Sequence, residues 1–266
     1  MKLGHSLFLT VTAVLLASLA MAQAQRANDA TGQTQPSLAE ITQTGIDALK
    51  ARQPQQALDL FEQVPKANPD DPVANLLAAT AALNLYRGDL AVTYAEKARD
   101  LDQGNWKVHT TLVVAYAVAG KKELRDQERE ILRKLHDDRR APEAMQAKGF
   151  LLEMFQVKQY RIEAIEYFHP VDKLHIYYRF VIRNPEGRRV WQIDAESNDF
   201  DQNSWTKAHP DEAAGGKRQF QLVGDDRDLH VDYHMFSGTP DYDSIRSQVV
   251  QIIQEQSTPF PGETGP

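Results

Sequence analysis

The chain has 266 residues, of which 42% are hydrophobic and 25% charged, an ordinary composition for a globular protein of one or two domains. Its formal net charge of −7 argues against nucleic acid as a main partner, because phosphate binding requires a basic surface. The absence of cysteine excludes disulfides, thiolate metal sites, cysteine nucleophiles and a lipoprotein cysteine.

The first 24 residues have the pattern of a secretory signal peptide. Lys2 is followed by the apolar run LFLTVTAVLLASLAMA, and Ala22 and Ala24 are the small residues that precede a cleavage site. The alternative is a retained membrane anchor, for which the apolar run is short. We therefore expect residues 1–24 to be removed and the protein to be secreted. Together with the lack of cysteine, this predicts a bacterial periplasmic location.

Residues 25–37 are polar without an apolar period and are predicted to be a flexible leader. From residue 38 to about 140 the apolar pattern repeats at an interval of about 34 residues. Units counted from Leu38 and Pro72 have small residues at positions 8 and 20, which let two helices approach closely: Gly45 and Ala57, then Ala79 and Ala91. Phe61, at position 24, is large enough to fill the gap between helix pairs. A third unit begins at Trp106.

This segment resembles a run of tetratricopeptide repeats (TPR). The resemblance implies an α-solenoid of helix hairpins in which the first helices line a concave groove for extended or helical peptides. Arg125 and Arg129 depart from the pattern, because they occupy positions 20 and 24 of the third unit. The helix that contains them is predicted to be a polar cap with this apolar set: Leu124, Ile131, Leu132 and Leu135. The alternative is an ordinary helical bundle.

Polar residues on the first helices of the second and third units are candidates for the groove face. The predicted partner-binding residues are Asn75, Thr80, Asn84, His109, Thr110 and Tyr116. The predicted partner is a protein or peptide, because a groove of this kind suits a chain segment better than a small reactive substrate.

From about residue 149 the apolar period changes from 3.6 to 2, which is typical of β-strands. FLLEMFQV and QYRIEAIEYF predict a hairpin around Lys158, and HIYYRFVIR and RRVWQIDAES are joined by the turn sequence NPEG. KRQFQLV and DLHVDYHMF flank a second turn, GDDR. The pattern therefore predicts about six strands in an antiparallel meander.

A C-terminal helix is predicted after the strands, with Thr239 as its N-cap and Pro240 at its first position. An apolar stripe should place this helix on the sheet: Ile245, Val249, Ile252 and Ile253. Residues 258–266 are predicted to be a disordered tail. The predicted fold class is thus α+β with two domains, a helical solenoid over 38–140 and a sheet with one covering helix over 141–257.

One strand contains a candidate metal site. In LHVDYHMF, His230, Asp232 and His234 project from the same face, and these are competent zinc or iron ligands. The alternative is a solvated sheet face, on which alternating polar residues are expected. The long polar connection over 198–216 contains Trp205, which is predicted to anchor it to its own domain or to a partner.

Motifs for nucleotide binding and serine hydrolysis are missing: the sequence has no Walker loop, no G-x-G-x-x-G and no G-x-S-x-G. We predict no cofactor and a non-enzymatic, secreted protein-binding adaptor or scaffold. A metal-dependent enzyme or metal-binding module that uses the His-x-Asp-x-His strand is one alternative. An assembly component of a bacterial envelope or secretion complex is another.

Overall fold

A computed structural model describes the chain over residues 36–140, 147–171, 176–198, 218–224, 234–236 and 240–263. The chain divides into two compact units, Met1–Gln103 and Gly104–Pro266. The first unit contains two helix pairs, and the second contains the third helix pair together with the sheet. The sequence prediction, in contrast, grouped all three helix pairs in one domain that ended at residue 140.

The helices begin at the interval that the sequence predicted. Those of the first unit are α1 (Leu38–Lys50), α2 (Pro54–Phe61), α3 (Gln63–Ala67), α4 (Pro72–Asn84) and α5 (Gly88–Leu101). The second unit opens with α6 (Trp106–Val118) and α7 (Lys122–Asp137). The first helices of the pairs, α1, α4 and α6, start 34 residues apart, and so do the second helices, α2, α5 and α7. The predicted tetratricopeptide-like hairpins are therefore confirmed.

Local signals determine where the first helices begin. Ser37 forms a capping box with Glu40, and Asp71 and Asn105 accept hydrogen bonds from main-chain N–H groups at the starts of α4 and α6. Pro72 occupies the first turn of α4, where its missing N–H costs nothing. Each first helix therefore starts with its free N–H groups partly satisfied.

The small and large residues at repeat positions 8, 20 and 24 have the packing roles that the sequence predicted. An ideal Cβ added to Gly45 would lie 2.5 Å from Cε1 of Phe61, so α1 approaches the ring through its own backbone. Ala57 and Ala91, both at position 20, are completely buried. Close helix packing in these pairs thus depends on the absence of larger side chains.

Within the described residues the sheet has six strands in the sequential order β1 to β6, all antiparallel. The strands are β1 (Gly149–Val157), β2 (Tyr160–Val171), β3 (Ile176–Arg183), β4 (Arg189–Asn198), β5 (Arg218–Gly224) and β6 (His234–Phe236). Lys158, at φ 53°, turns the first hairpin, and Gly187 N–H donates to the Asn184 carbonyl oxygen in the NPEG turn. The predicted antiparallel meander is confirmed.

One face of the sheet forms the core of the second unit. Tyr178, Phe180 and Ile182 alternate along β3 and are completely buried. The C-terminal helix α8 (Tyr242–Glu255) contributes Ile245, Val249 and Ile253 to this core, as its apolar stripe predicted. Trp106 of α6 and Leu132 of α7 belong to the same core. The prediction of a single covering helix is therefore wrong, because the third helix pair packs there too.

Two boundaries differ from the sequence predictions. The N-cap of α8 is Asp241, whose side chain accepts the Ser244 N–H at 2.9 Å. The helix therefore starts two residues after the predicted N-cap, Thr239, which itself lies outside the described residues. The segment that follows α8 is not a loose tail through residue 263. Phe260 is completely buried, and Pro261–Glu263 form a short 3₁₀-helix.

Candidate functional site

Three of the predicted groove residues are buried and not available to a partner in this structure. Asn75 is completely buried, and its amide nitrogen donates to the Asp71 carbonyl oxygen at 2.8 Å. His109 Nδ1 lies 2.6 Å from Glu128 Oε2, and both side chains are about 5% exposed. Tyr116 is 1% exposed. Asn75 and His109 occupy the same position in consecutive repeats, so their burial follows from the repeat itself.

The other three predicted groove residues remain partly exposed. The Thr80 hydroxyl donates to the Leu76 carbonyl oxygen at 2.9 Å, and the Asn84 amide donates to the Thr80 carbonyl oxygen at 2.9 Å. The Thr110 hydroxyl donates to the Lys107 carbonyl oxygen at 2.9 Å. Thr80 and Asn84 thus bond back to their own helix, which fixes their orientation and leaves their outer surface accessible.

An accessible stripe runs along α4. Val73, Thr80 and Asn84 are partly exposed and spaced seven and four residues apart, which places them on one helix face. We call these three residues the α4 stripe. Asn75 lies on the opposite side of the same helix, which explains why it faces the packed interior. Helical periodicity within α4 would have shown from sequence alone that Asn75 cannot share a face with Thr80 and Asn84.

Two of the three stripe positions, those of Val73 and Asn84, are also accessible on the other first helices, whereas the counterparts of Thr80, Ile46 and Val114, are buried. On α6, 34 residues further along the chain, Lys107 and Val118 correspond to Val73 and Asn84 and are also partly exposed. On α1 the corresponding residues, Ala39 and Lys50, are exposed. The repeat therefore presents the same two accessible positions on each first helix.

The second unit contains a network of buried charges that sequence reasoning missed. Arg129 of α7 binds Glu166 of β2 through two hydrogen bonds, Nε to Oε2 at 2.7 Å and Nη2 to Oε1 at 3.0 Å. Arg133, one turn along α7, also contacts Oε1 of Glu166. Glu166 is completely buried on the helix-covered face of the sheet. Its charge is therefore balanced by two arginines from one helix.

Arg125 joins α7 to α8. Its guanidinium binds both carboxylate oxygens of Asp243, at 3.0 and 3.3 Å, and both of Asp126, at 2.9 and 3.2 Å. It also lies 5.3 Å from the centre of the Tyr242 ring. Burial alone would lower the pKa of Arg125, but these hydrogen bonds outweigh burial and raise it. Burial would raise the pKa of Asp243, yet Arg125 and Lys122 together lower it. Both partners thus remain charged.

A second buried carboxylate lies on the same sheet face. Glu153 of β1 accepts from Arg246 of α8, Nε to Oε2 at 2.6 Å and Nη2 to Oε1 at 2.9 Å. The Tyr242 hydroxyl donates to Glu153 Oε2 at 2.7 Å. Burial, followed by the charge of Glu153, raises the pKa of Tyr242 well above its ordinary value, so the phenol remains a donor. Glu153 and Glu166 are therefore each bound by arginine from a different covering helix.

A cavity of about 420 Å³ adjoins this network. Acidic, basic and aromatic side chains line it together with one proline: Asp126, Arg129, Glu130, Arg133, Tyr178, Pro240, Asp241 and Tyr242. Arg129 and Arg133 are bound to Glu166, and the Tyr178 hydroxyl donates to the Pro240 carbonyl oxygen at 3.1 Å. These groups use their hydrogen-bonding capacity to join helices to the sheet, which is a structural task.

The candidate metal site lies mostly outside the described residues, which include neither His230 nor Asp232. His234 begins β6, and its side chain is not described. Within the described ranges, no group of three or more His, Asp or Glu side chains is arranged to hold a metal ion. In the same part of the chain, every helix is too short or too polar to cross a bilayer. Trp205 also lies outside the described residues.

No protein-family model and no curated protein matches the chain. Solved structures that resemble part of it include MamA of AMB-1, at 22% identity and a TM-score of 0.36, covering 38% of this chain and 60% of that one. The first TPR domain of human RPAP3 is 21% identical, with coverages of 41% and 84% and a TM-score of 0.36. The TPR domain of Arabidopsis OM64 is 19% identical, with coverages of 41% and 88% and the same TM-score. The chain thus spans less than two thirds of the length of MamA.

Proposed function

We propose that this protein is a non-enzymatic adaptor or scaffold that binds a protein or peptide through the accessible faces of its first helices. The observation that carries the proposal is the 34-residue interval between helix starts, which repeats two accessible positions, those of Val73 and Asn84, on α1, α4 and α6. A repeat uses its other positions to bury its apolar faces, so these positions are available for contact.

The chemistry of the α4 stripe suits a chain segment as partner. Val73 offers apolar contact, and Thr80 and Asn84 offer hydrogen bonds without a formal charge. None of the three stripe residues is a base that would activate Thr80 as a nucleophile. Recognition of an extended or helical segment is therefore the role that these side chains support.

Export to a bacterial periplasm is part of the proposal. It rests on the sequence of residues 1–24, in which a positive charge, an apolar run and an Ala-x-Ala site occur in the order of a signal peptide. Purification from fractionated cells of the source organism, followed by N-terminal sequencing, tests this point. A mature chain that begins at Gln25 supports export, and an intact Met1 in the soluble fraction contradicts it.

A matched pair of threonines tests partner binding. Thr80 on α4 and Thr93 on α5 make the same hydrogen bond to the carbonyl four residues earlier, at 2.9 and 3.0 Å. Thr80 belongs to the α4 stripe, whereas Thr93 is exposed on a second helix. We expect Thr80→Lys to weaken capture of specific proteins from a cell extract by about tenfold or more, because it places a long charged chain in the contact face.

Thr93→Lys is the control and should leave capture unchanged. Circular dichroism of both variants checks that the helices remain folded. A photo-crosslinking residue at each of the two positions provides a second readout, since only position 80 should crosslink to the captured protein. Equal capture by the two variants, with no crosslink at position 80, would show that the α4 stripe does not bind the partner.

A further inference from the structure

The chain segment after α8 folds back onto the sheet and inserts one aromatic ring into it. Phe260 is completely buried between Trp191 of β4 and Tyr160 of β2, with ring centroids 4.9 and 4.8 Å away. The backbone of Gly262 lies against Val190, where an added Cβ would approach the Val190 Cα to 2.7 Å. We call residues 257–263 the C-terminal clasp.

Side chains of the first hairpin attach the clasp and its approach to the sheet. Lys158 Nζ donates to the Gln256 carbonyl oxygen at 3.0 Å, and the Tyr160 hydroxyl donates to Glu263 Oε2 at 2.9 Å. The same carboxylate oxygen accepts the Phe260 N–H at 2.9 Å. Burial, aided by Glu263, raises the pKa of Tyr160 to about 12, so the phenol keeps its proton. Departure of the clasp would break these bonds and leave the main-chain ladder between the strands intact.

Trp191, on which Phe260 stacks, contains a buried donor. The indole Nε1–H of Trp191 is buried and has no hydrogen-bond acceptor among the described residues, although the ring stacks on Phe260. An unpaired buried donor loses the hydrogen bonds that water would give it.

Space next to the clasp is consistent with such movement. A cavity of about 510 Å³ lies between the clasp and the first hairpin. It is lined on the clasp side by Ser257, Thr258 and Pro259, all exposed, and on the hairpin side by Lys158 and Gln159. Ser257, Thr258 and Pro259 thus border this cavity, whereas Phe260 belongs to the buried core.

We infer that the C-terminal clasp opens as a local unit while the sheet stays folded, and that opening exposes an aromatic cleft formed by Tyr160 and Trp191. In the closed state the Phe260 ring fills this cleft. The inference does not depend on the proposed partner binding by the first helices. It gives the second unit a conformational equilibrium controlled by one buried ring.

Amide hydrogen exchange on the full-length protein tests the inference. In native conditions the clasp amides of Phe260 and Glu263 should exchange faster than the amide of Phe180 in β3, because local opening requires less free energy than unfolding of the sheet. Equal opening free energies at the clasp and at Phe180 would show that the clasp leaves only when the sheet unfolds. That result would overturn the inference.

Three variants test whether Phe260 holds the clasp closed. Phe260→Ala should raise clasp exchange by about tenfold to a hundredfold, because alanine buries much less apolar surface in the cleft, while Phe180 changes much less. Tyr160→Phe, which keeps the ring but removes the hydroxyl, should act in the same direction with a smaller effect. Ser257→Ala, at an exposed clasp position, is the control and should change neither the exchange of the clasp amides nor that of Phe180. A uniform rise over the whole sheet in Phe260→Ala would contradict a separately opening clasp.

Discussion

Two arginines of α7 occupy positions where a repeat normally has apolar residues, and the structure explains both. Arg125 binds Asp243, and Arg129 binds Glu166, so each guanidinium meets a carboxylate of another element in the second unit. Burial of an arginine is costly unless it is paired and hydrogen-bonded. The predicted polar cap is thus a charged contact face toward the sheet and α8, with Arg125 itself 3% exposed.

Removal of Arg129 should be far more costly than removal of an exposed cation on the same helix. Arg129→Ala leaves the completely buried Glu166 with Arg133 alone, and we expect a loss of about 3 kcal/mol in the free energy of unfolding. Lys134, which lies 4.0 Å from Glu130 with both side chains exposed, is the matched control, and Lys134→Ala should cost less than about 0.5 kcal/mol. Urea denaturation measures both, and equal losses would refute a special role for the buried pair.

At the scale of elements, the same turn ends all three first helices. Arg52, Tyr86 and Gly120, 34 residues apart, adopt positive φ angles of 59°, 56° and 71°. The next residue in each case donates to the carbonyl five residues earlier, at 2.8, 3.0 and 2.8 Å. This is the Schellman arrangement, in which a left-handed residue closes the helix end. It redirects the chain so that the second helix can begin two residues later.

Substitutions at two glycines, Gly120 and Gly104, distinguish the effect of the left-handed backbone of this turn from the effect of side-chain packing. Apart from atoms of the glycine and its chain neighbours, no heavy atom of the described chain lies within 4 Å of an added Cβ at either Gly120 or Gly104, but only Gly120 of the two has a positive φ. Gly120→Ala should therefore lower the free energy of unfolding by about 1 kcal/mol, since the left-handed region is strained for alanine. Gly104→Ala should cause no loss. Thermal denaturation distinguishes the two, and a similar loss in both would rule out the φ angle as the cause.

At the scale of the molecule, the third helix pair belongs to the sheet rather than ending a separate helical domain. Leu132 of α7 and Trp106 of α6 share one buried core with strands β1 to β5 and with α8. His136 of α7 stacks on Phe168 of β2 at 4.2 Å between ring centroids. The second unit therefore combines a repeat hairpin and a sheet in one core.

Adjacent residues of α7 test this shared core. Leu132 is completely buried, whereas Ile131 is 37% exposed, although the amphipathic pattern predicted both as apolar face residues. Leu132→Ala should lower stability by about 3 kcal/mol and reduce exchange protection in both the helix pair and strands β1 to β4. Ile131→Ala should cost less than about 1 kcal/mol. Loss of protection confined to α6 and α7 would contradict a common core.

Local patterns in the sequence determined most of the secondary structure. The repeat interval located both helices of each pair, and the period of two located β1 to β4, because each pattern expresses which side of an element is buried. The NPEG turn was predictable because its hydrogen bond joins residues close in the chain, and Gly45 was predictable because it packs against Phe61 at a fixed repeat position. The candidate site was predicted less well. Asn75 and His109 were assigned to the groove because they are polar, but both are buried.

Contacts between distant residues were decided only by the tertiary structure. Arg125 meets Asp243 across 118 positions, and Phe260 fills a cleft between Tyr160 and Trp191. Such pairs depend on strand register and on how helices lie on the sheet, and a shift of one residue would move a strand's side chains to the other face. A sequence period specifies that a face is buried but carries no information about which distant group buries it.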